Sequence, residues 1–243
     1  MKLMPCICKR VRVRAQFLSL LILFFSCGIE EYYYLPQIPQ SNISYNFDTE
    51  ATINIPSVNM TEFYYFTNYS IYYRIYISET PVNISSTASY TSDLRNDYNA
   101  IAPYADPTNT SAATSIDQVF RNRNYHELQF EEESIGSILQ SGSLLRIIFP
   151  TALGDYPYAS ATLSGNTKSA DLNRSIRDPA PNRFFINSPE LGTNERNSDV
   201  SRRSGSYAYV SMYIVAKGND NANFREILSK PTHINIFRLP DES

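Results

Sequence analysis

"YSIYYRIYIS", Tyr69 to Ser78, alternates its side chains with a period of two. Tyr69, Ile71, Tyr73, Ile75 and Ile77 fall on one face of an extended chain, and Ser70, Tyr72, Arg74, Tyr76 and Ser78 on the other. The spacing predicts a half-buried strand with one dry face and one amphipathic face. "YAYVSMYIVA", Tyr207 to Ala216, repeats it. Here Ala208, Val210, Met212, Ile214 and Ala216 form one set, and Tyr207, Tyr209, Ser211, Tyr213 and Val215 the other. Two such segments set the expectation of a mainly β body.

Shorter strands are expected at Ala51 to Ile55, Glu127 to Glu131, Leu144 to Phe149, Arg183 to Asn187 and His233 to Phe237, with Asn-, Ser- and Pro-rich turns between them. One helix interrupts the pattern at "TSDLRNDYNAIAPY". Thr91 or Ser92 can cap it, Leu94, Tyr98 and Ile101 recur at i, i+4 and i+7, and Pro103 should stop it. "SIDQVF" and "NFREILSK" read as further short helical turns. Residues 151–206 are polar with little periodicity and read as long loops, tied down once at "RFFIN". The expected architecture is a single β-sandwich domain over residues 49–243 with short helical insertions.

The chain has 243 residues, enough to bury a core without disulfides or metals. Its net charge of −3 is unevenly spread. Residues 1–26 hold Lys2, Lys9, Arg10, Arg12 and Arg14 and no acid, so the remainder carries 16 bases against 24 acids. A body of that sign repels phosphate backbones, which argues against a nucleic-acid partner.

The basic start is followed by an apolar run, Phe17 to Phe25, and then by Ser26. That order is expected of a signal peptide, residues 1–26, and the run is about half the ~20 residues a spanning helix needs. Cleavage before Cys27 would remove Cys6 and Cys8 and leave Cys27 alone at the new N-terminus. A lone thiol in an oxidising compartment calls for something to occupy its sulfur. The junction resembles the lipobox of bacterial lipoproteins, whose cysteine is diacylated. Ser26 and Cys27 match it; Phe24 and Phe25 stand where leucine and a small residue are usual, as in the relaxed lipoboxes of spirochaete lipoproteins. The resemblance implies cleavage between Ser26 and Cys27, lipid on Cys27, and a body held outside the cytoplasm by a short tether, residues 27–48. An ordinary secreted protein and an uncleaved anchor are the alternatives, and both keep the body extracytoplasmic.

"YAYVSMYIVAKGND … LSKPTHINIF" is similar to the last two strands of fibronectin type III-like domains of the immunoglobulin-like sandwich class. Ala216, Ser229 and Pro231 occupy the matching places, while the tryptophan common in an early strand of such domains is missing. The fold would not by itself supply a function.

Residues able to carry chemistry are few. The two histidines, His126 and His233, are far apart in sequence. His126 stands before Glu127 and near Glu131, Glu132 and Glu133, but no second histidine follows at a metal-ligand spacing. It reads as a strand edge before a solvated acidic run. His233, in opposite phase to Ile234 and Ile236, reads as an exposed strand residue. No G-x-S-x-G, G-x-G-x-x-G or P-loop is present. The 19 tyrosines suit an amphipathic strand face, or stacking on sugar rings and a protein-binding patch. The expectation is a non-catalytic interaction or structural module with no cofactor and no metal. Its partners would be the membrane, reached through the lipid, and an unknown protein or carbohydrate. The alternative is a lipoprotein that captures a sugar or peptide.

Overall fold

The computed structural model describes residues 35–106, 116–130, 142–151, 156–173, 184, 200–201, 205–220 and 225–239. In chain order the strands begin with β1 (Ile43–Asn46), β2 (Glu50–Asn54), β3 (Phe66–Ser78), β4 (His126–Glu127) and β5 (Gln129–Phe130). They continue with β6 (Leu144–Ile148), β7 (Tyr158–Leu163), β8 (Asn166–Asn173), β9 (Tyr207–Asp220), β10 (Arg225–Leu228) and β11 (Thr232–Arg238). Two helices, α1 (Ser92–Ala105) and α2 (Ile116–Asn122), lie between β3 and β4 in sequence. The strands form two antiparallel sheets, an arrangement consistent with a β-sandwich. One runs β1-β2-β6-β7-β8-β5; the other centres on β3 and β9, with β4 beside β3 and both β10 and β11 beside β9.

The β3–β9 register is the one the alternation requires. Tyr69 faces Ala216, Ile71 faces Ile214, Tyr73 faces Met212 and Ile75 faces Val210. This set points at the other sheet and meets Ala51, Ile53, Leu145, Ile147, Ala159 and Ala161 in one continuous core. Alanines opposite large side chains, Ala216 across from Tyr69 and Ala208 across from Ile77, let large and small residues interdigitate. Each aliphatic side chain buried here contributes about 1.5–3 kcal/mol. The other face of β3 and β9 is buried as well, under α1 and α2, which differs from the half-exposed strand expected. Tyr72, Ile101, Phe120 and Tyr213 form one outer cluster; Tyr76, Leu94, Tyr209 and Ile236 form another. Phe120 of α2 stacks on Tyr72 with ring centroids 4.6 Å apart.

The sheets are joined along both sides. On one, the chain pairs with β3 at His126–Glu127, bonds Leu128 N–H to Ile71 O at 2.7 Å, and pairs with β8 from the next residue, Gln129. On the other, residues 37–49 run beside β11. Gln40 Nε2 donates to His233 O at 3.1 Å, Asn235 Nδ2 to Phe47 O at 2.7 Å, and Arg238 N–H to Asp48 O at 3.0 Å. The core therefore takes in Leu35 and Ile38, and β1 lies within the stretch read as a tether.

Several expectations need correction. Thr91 is the N-cap of α1, its hydroxyl accepting from Leu94 N–H at 3.3 Å, but Pro103 does not stop the helix. Proline in the last turn forfeits a single hydrogen bond, and Ile101, fully buried, holds that turn down. "REIL" is strand β10, not helix: pairing with β9 and an ion pair from Lys217 Nζ to Glu226 at 2.9 Å override its helical propensity. Residues 151–206 are not wholly loop, since β7 and β8 form a hairpin closed by Ser164 (φ 50°) and Gly165 (φ 81°). Two successive positive φ values make the two-residue turn that suits hairpin twist. Of "RFFIN" the described residue is Phe184, fully buried between Tyr73 and Phe149.

Candidate functional site

A cleft of about 570 Å³ opens where the end of α1, the start of β11 and residues 37–40 converge. Its walls include Tyr98 and Ala102 of α1, Tyr213 of β9 and His233 of β11. The amino-terminal wall is pinned by one side chain. Gln37 Nε2 donates to Ala105 O at 3.0 Å and to Pro231 O at 2.9 Å, tying helix end to strand start. Thr232 donates its hydroxyl to Ile38 O behind it.

His233 sits at the cleft, with its ring 4.8 Å from that of Tyr213 and 5.8 Å from that of Tyr98. The sequence places it on an exposed face, opposite to Ile234 and Ile236. A β-bulge between His233 and Asn235 changes the phase: His233 still pairs with Tyr213, but Asn235 pairs with Met212 and Ile236 with Ser211. His233 and Ile236 thus share the helix-covered face, while Ile234 enters the core between the sheets. Partial exposure to the cleft does not spare the imidazole from desolvation, which lowers its pKa from 6.5 to about 4. It is a neutral hydrogen-bonding group at neutral pH and a poor general base there. Its Nε2 lies 3.4 Å from Ser211 Oγ, but Ser211 is 1% exposed and out of reach of a substrate.

From Ser211 a buried polar network runs beneath the helices. Tyr125 is hydrogen-bonded to Ser211 and, at 2.9 Å, to the Tyr76 hydroxyl. Tyr76 donates to Asp97 Oδ2 at 2.7 Å. Arg74 pairs with that same oxygen, and Arg123 with Asp97 Oδ1 at 3.3 Å. Burial pushes the phenols of Tyr76, Tyr125 and Tyr213 well above the ordinary tyrosine value, so all stay neutral donors. Asp97, 2% exposed, is held by two guanidinium groups and a phenol. Its signal in the sequence was an acid placed between Leu94 and Ile101 on the buried stripe of α1, matched by an arginine inside an apolar strand.

Ser26 and Cys27, the residues expected at the cleavage and lipidation site, lie outside the described residues, as do Cys6, Cys8 and Glu131 to Glu133. His126 lies in β4, 6.4 Å from the Tyr73 ring; Glu127 accepts from Ser70 Oγ at 2.6 Å and pairs with Lys217 at 3.1 Å. Among the described residues no group of three metal-ligating side chains assembles, and no helix is long and apolar enough to cross a membrane. Tyrosines do line the cleft, whereas within residues 151–206 the strands β7 and β8 belong to the other sheet and Val200 bridges Ile75 of β3, none of them among the residues lining it. No protein family, curated protein or solved structure matches the chain.

Proposed function

We propose that the protein is an extracytoplasmic lipoprotein of the relaxed-lipobox type, cleaved between Ser26 and Cys27, lipidated on Cys27 and acting as a non-catalytic interaction module. The observation that carries this reading is the burial of Leu35, 2% exposed, eight residues after Cys27. A body that starts so soon after the cysteine suits a domain held at a membrane face. Its finer fold assignment is an immunoglobulin-like or fibronectin type III-like sandwich. In support, two of the residues that carry the similarity are joined: Ser229 donates its N–H to Ala216 O and accepts at Oγ from Ala216 N–H, both at 2.8 Å. The deciding measurement is the mass of the mature N-terminus, together with membrane fractionation of Cys27→Ala. A diacylated Cys27 and a variant with no lipid adduct are expected; an unmodified Cys27 or a chain beginning elsewhere would refute the reading.

The cleft favours a second reading, capture of a small neutral ligand, sugar or peptide, between Tyr98, Tyr213 and His233. Titrating oligosaccharides and short peptides while following the His233 ring resonances tests it. No perturbation at millimolar ligand would count against it.

A further inference from the structure

Met60 and Tyr64, in residues 56–65 between β2 and β3, are 52% and 64% exposed, yet the loop carrying them is well braced. Thr61 N–H donates to Asn59 Oδ1 at 3.1 Å, and the N–H groups of Glu62 and Phe63 both donate to Asn59 O, at 3.0 and 2.9 Å. Phe63 and Tyr65 pack against the core, and Tyr65 meets Tyr64 edge-on with ring centroids 5.3 Å apart. Exposed apolar and aromatic side chains on a fixed loop call for a surface to meet.

The chain enters the fold at the same place. Gly218 shows it: a Cβ there would lie 2.6 Å from Tyr65 O and 3.3 Å from Leu35 Cδ1, so the entering chain and the loop press on one point. Between Cys27 and Leu35 stand seven residues, an extended reach of roughly 30 Å at most. Away from that point stands Phe47, 76% exposed at the β1–β2 turn; its carbonyl accepts from Asn235, which pairs with Met212, and the carbonyl of the next residue, Asp48, accepts from Arg238, which pairs with Tyr209. Along β9, Met212 and Tyr209 stand six and nine positions from Gly218, about 20 to 30 Å of strand.

We propose that residues 56–65 rest on the lipid surface itself, with Met60 and Tyr64 at headgroup level, and that the body stands on the membrane in a fixed orientation with Phe47 outermost. The inference builds on Cys27 being the lipid anchor. Tyrosine is suited to that depth because its ring is apolar and its hydroxyl stays wet. The loop holds one acid, Glu62, and no base, so the contact does not depend on anionic lipid.

The chain contains no tryptophan, so one introduced residue reports alone. Full-length lipidated Tyr64→Trp and Phe47→Trp are reconstituted in phosphatidylcholine vesicles holding a headgroup-level spin-label quencher. Trp at 64 is expected to emit further to the blue and to be quenched at least about threefold more than Trp at 47, with no gain from added anionic lipid. Equal quenching, no quenching at either position, or stronger quenching at 47 overturns the orientation. The N-terminal mass of the same samples separates the two failures: a lipidated chain without contrast refutes only the orientation, and an unlipidated chain refutes the anchor and the orientation together.

Discussion

The two faces of the β3–β9 sheet carry the same residue type under opposite rules. On the inner face Tyr69 is fully buried among aliphatic side chains, and its hydroxyl has no hydrogen-bond partner among the described residues. On the outer face Tyr76 is equally buried, and its hydroxyl bridges Asp97 and Tyr125. Desolvation by burial raises the Tyr69 phenol to about 12. A tyrosine pattern therefore marks a strand without saying whether the ring or the hydroxyl is being used. At position 69 the ring serves as bulk; at position 76 the hydroxyl serves as a connector.

The largest break in that contrast is Asp97→Ala. It leaves Arg74 buried without its counter-charge and Tyr76 without an acceptor, at an expected cost of about 3–5 kcal/mol in urea unfolding. A loss below about 1 kcal/mol would mean the outer face is held by packing alone.

Acid acts on the same face through His233. Its folded pKa of about 4 lies below the unfolded 6.5, so between these values the unfolded chain binds the extra proton. Stability is full above pH 6.5 and is lost as pH falls towards 4, by up to about 3 kcal/mol from this residue. His233→Gln should flatten that slope relative to wild type in pH-resolved thermal melts. An unchanged slope would place the acid sensitivity elsewhere.

Smaller again is Tyr76→Phe, expected to cost about 1–3 kcal/mol by removing a buried donor from Asp97 and a partner from Tyr125. The mirror-image change, Tyr69→Phe, is expected to be neutral or to stabilise by up to about 1 kcal/mol, because it deletes an unpaired hydroxyl. Paired denaturation curves sharpen the comparison. Equal losses at the two positions would erase the distinction between the faces.

What could be read beforehand follows the same division. Alternation over Tyr69–Ser78 and Tyr207–Ala216 assigns side chains to faces correctly, because both strands are long and every second residue is apolar. The hairpin β7–β8 escaped notice because its inward residues include Ala159, Ala161 and Ala170, too small to print a periodicity, and the first half of β8 is exposed. "REIL" looks helical in isolation because its strand character comes from β9 and not from its own residues. Simple alternation puts His233 on the exposed surface, whereas a bulge that no local pattern announces turns it to the helix-covered face. The cleft lay beyond reach altogether, being built from three segments that meet only when residues 37–40 dock on β11. Cys27 is the reverse case: cysteine counting singles it out as the expected lipidation site, and it falls outside the described residues.

The docking of residues 37–49 along β11 has a mechanical side. Gln37 holds Pro231, Ile38 takes the Thr232 hydroxyl, Gln40 holds His233, and the carbonyls of Phe47 and Asp48 take Asn235 and Arg238. These bonds follow one another in the same order along both segments. A tug on the amino-terminal end therefore loads the row in shear, and the force is handed across to the strand nearest the other end of the chain. A molecule gripped by one end and swept by moving fluid would feel that strain first in this seam, ahead of its helices and its central strands.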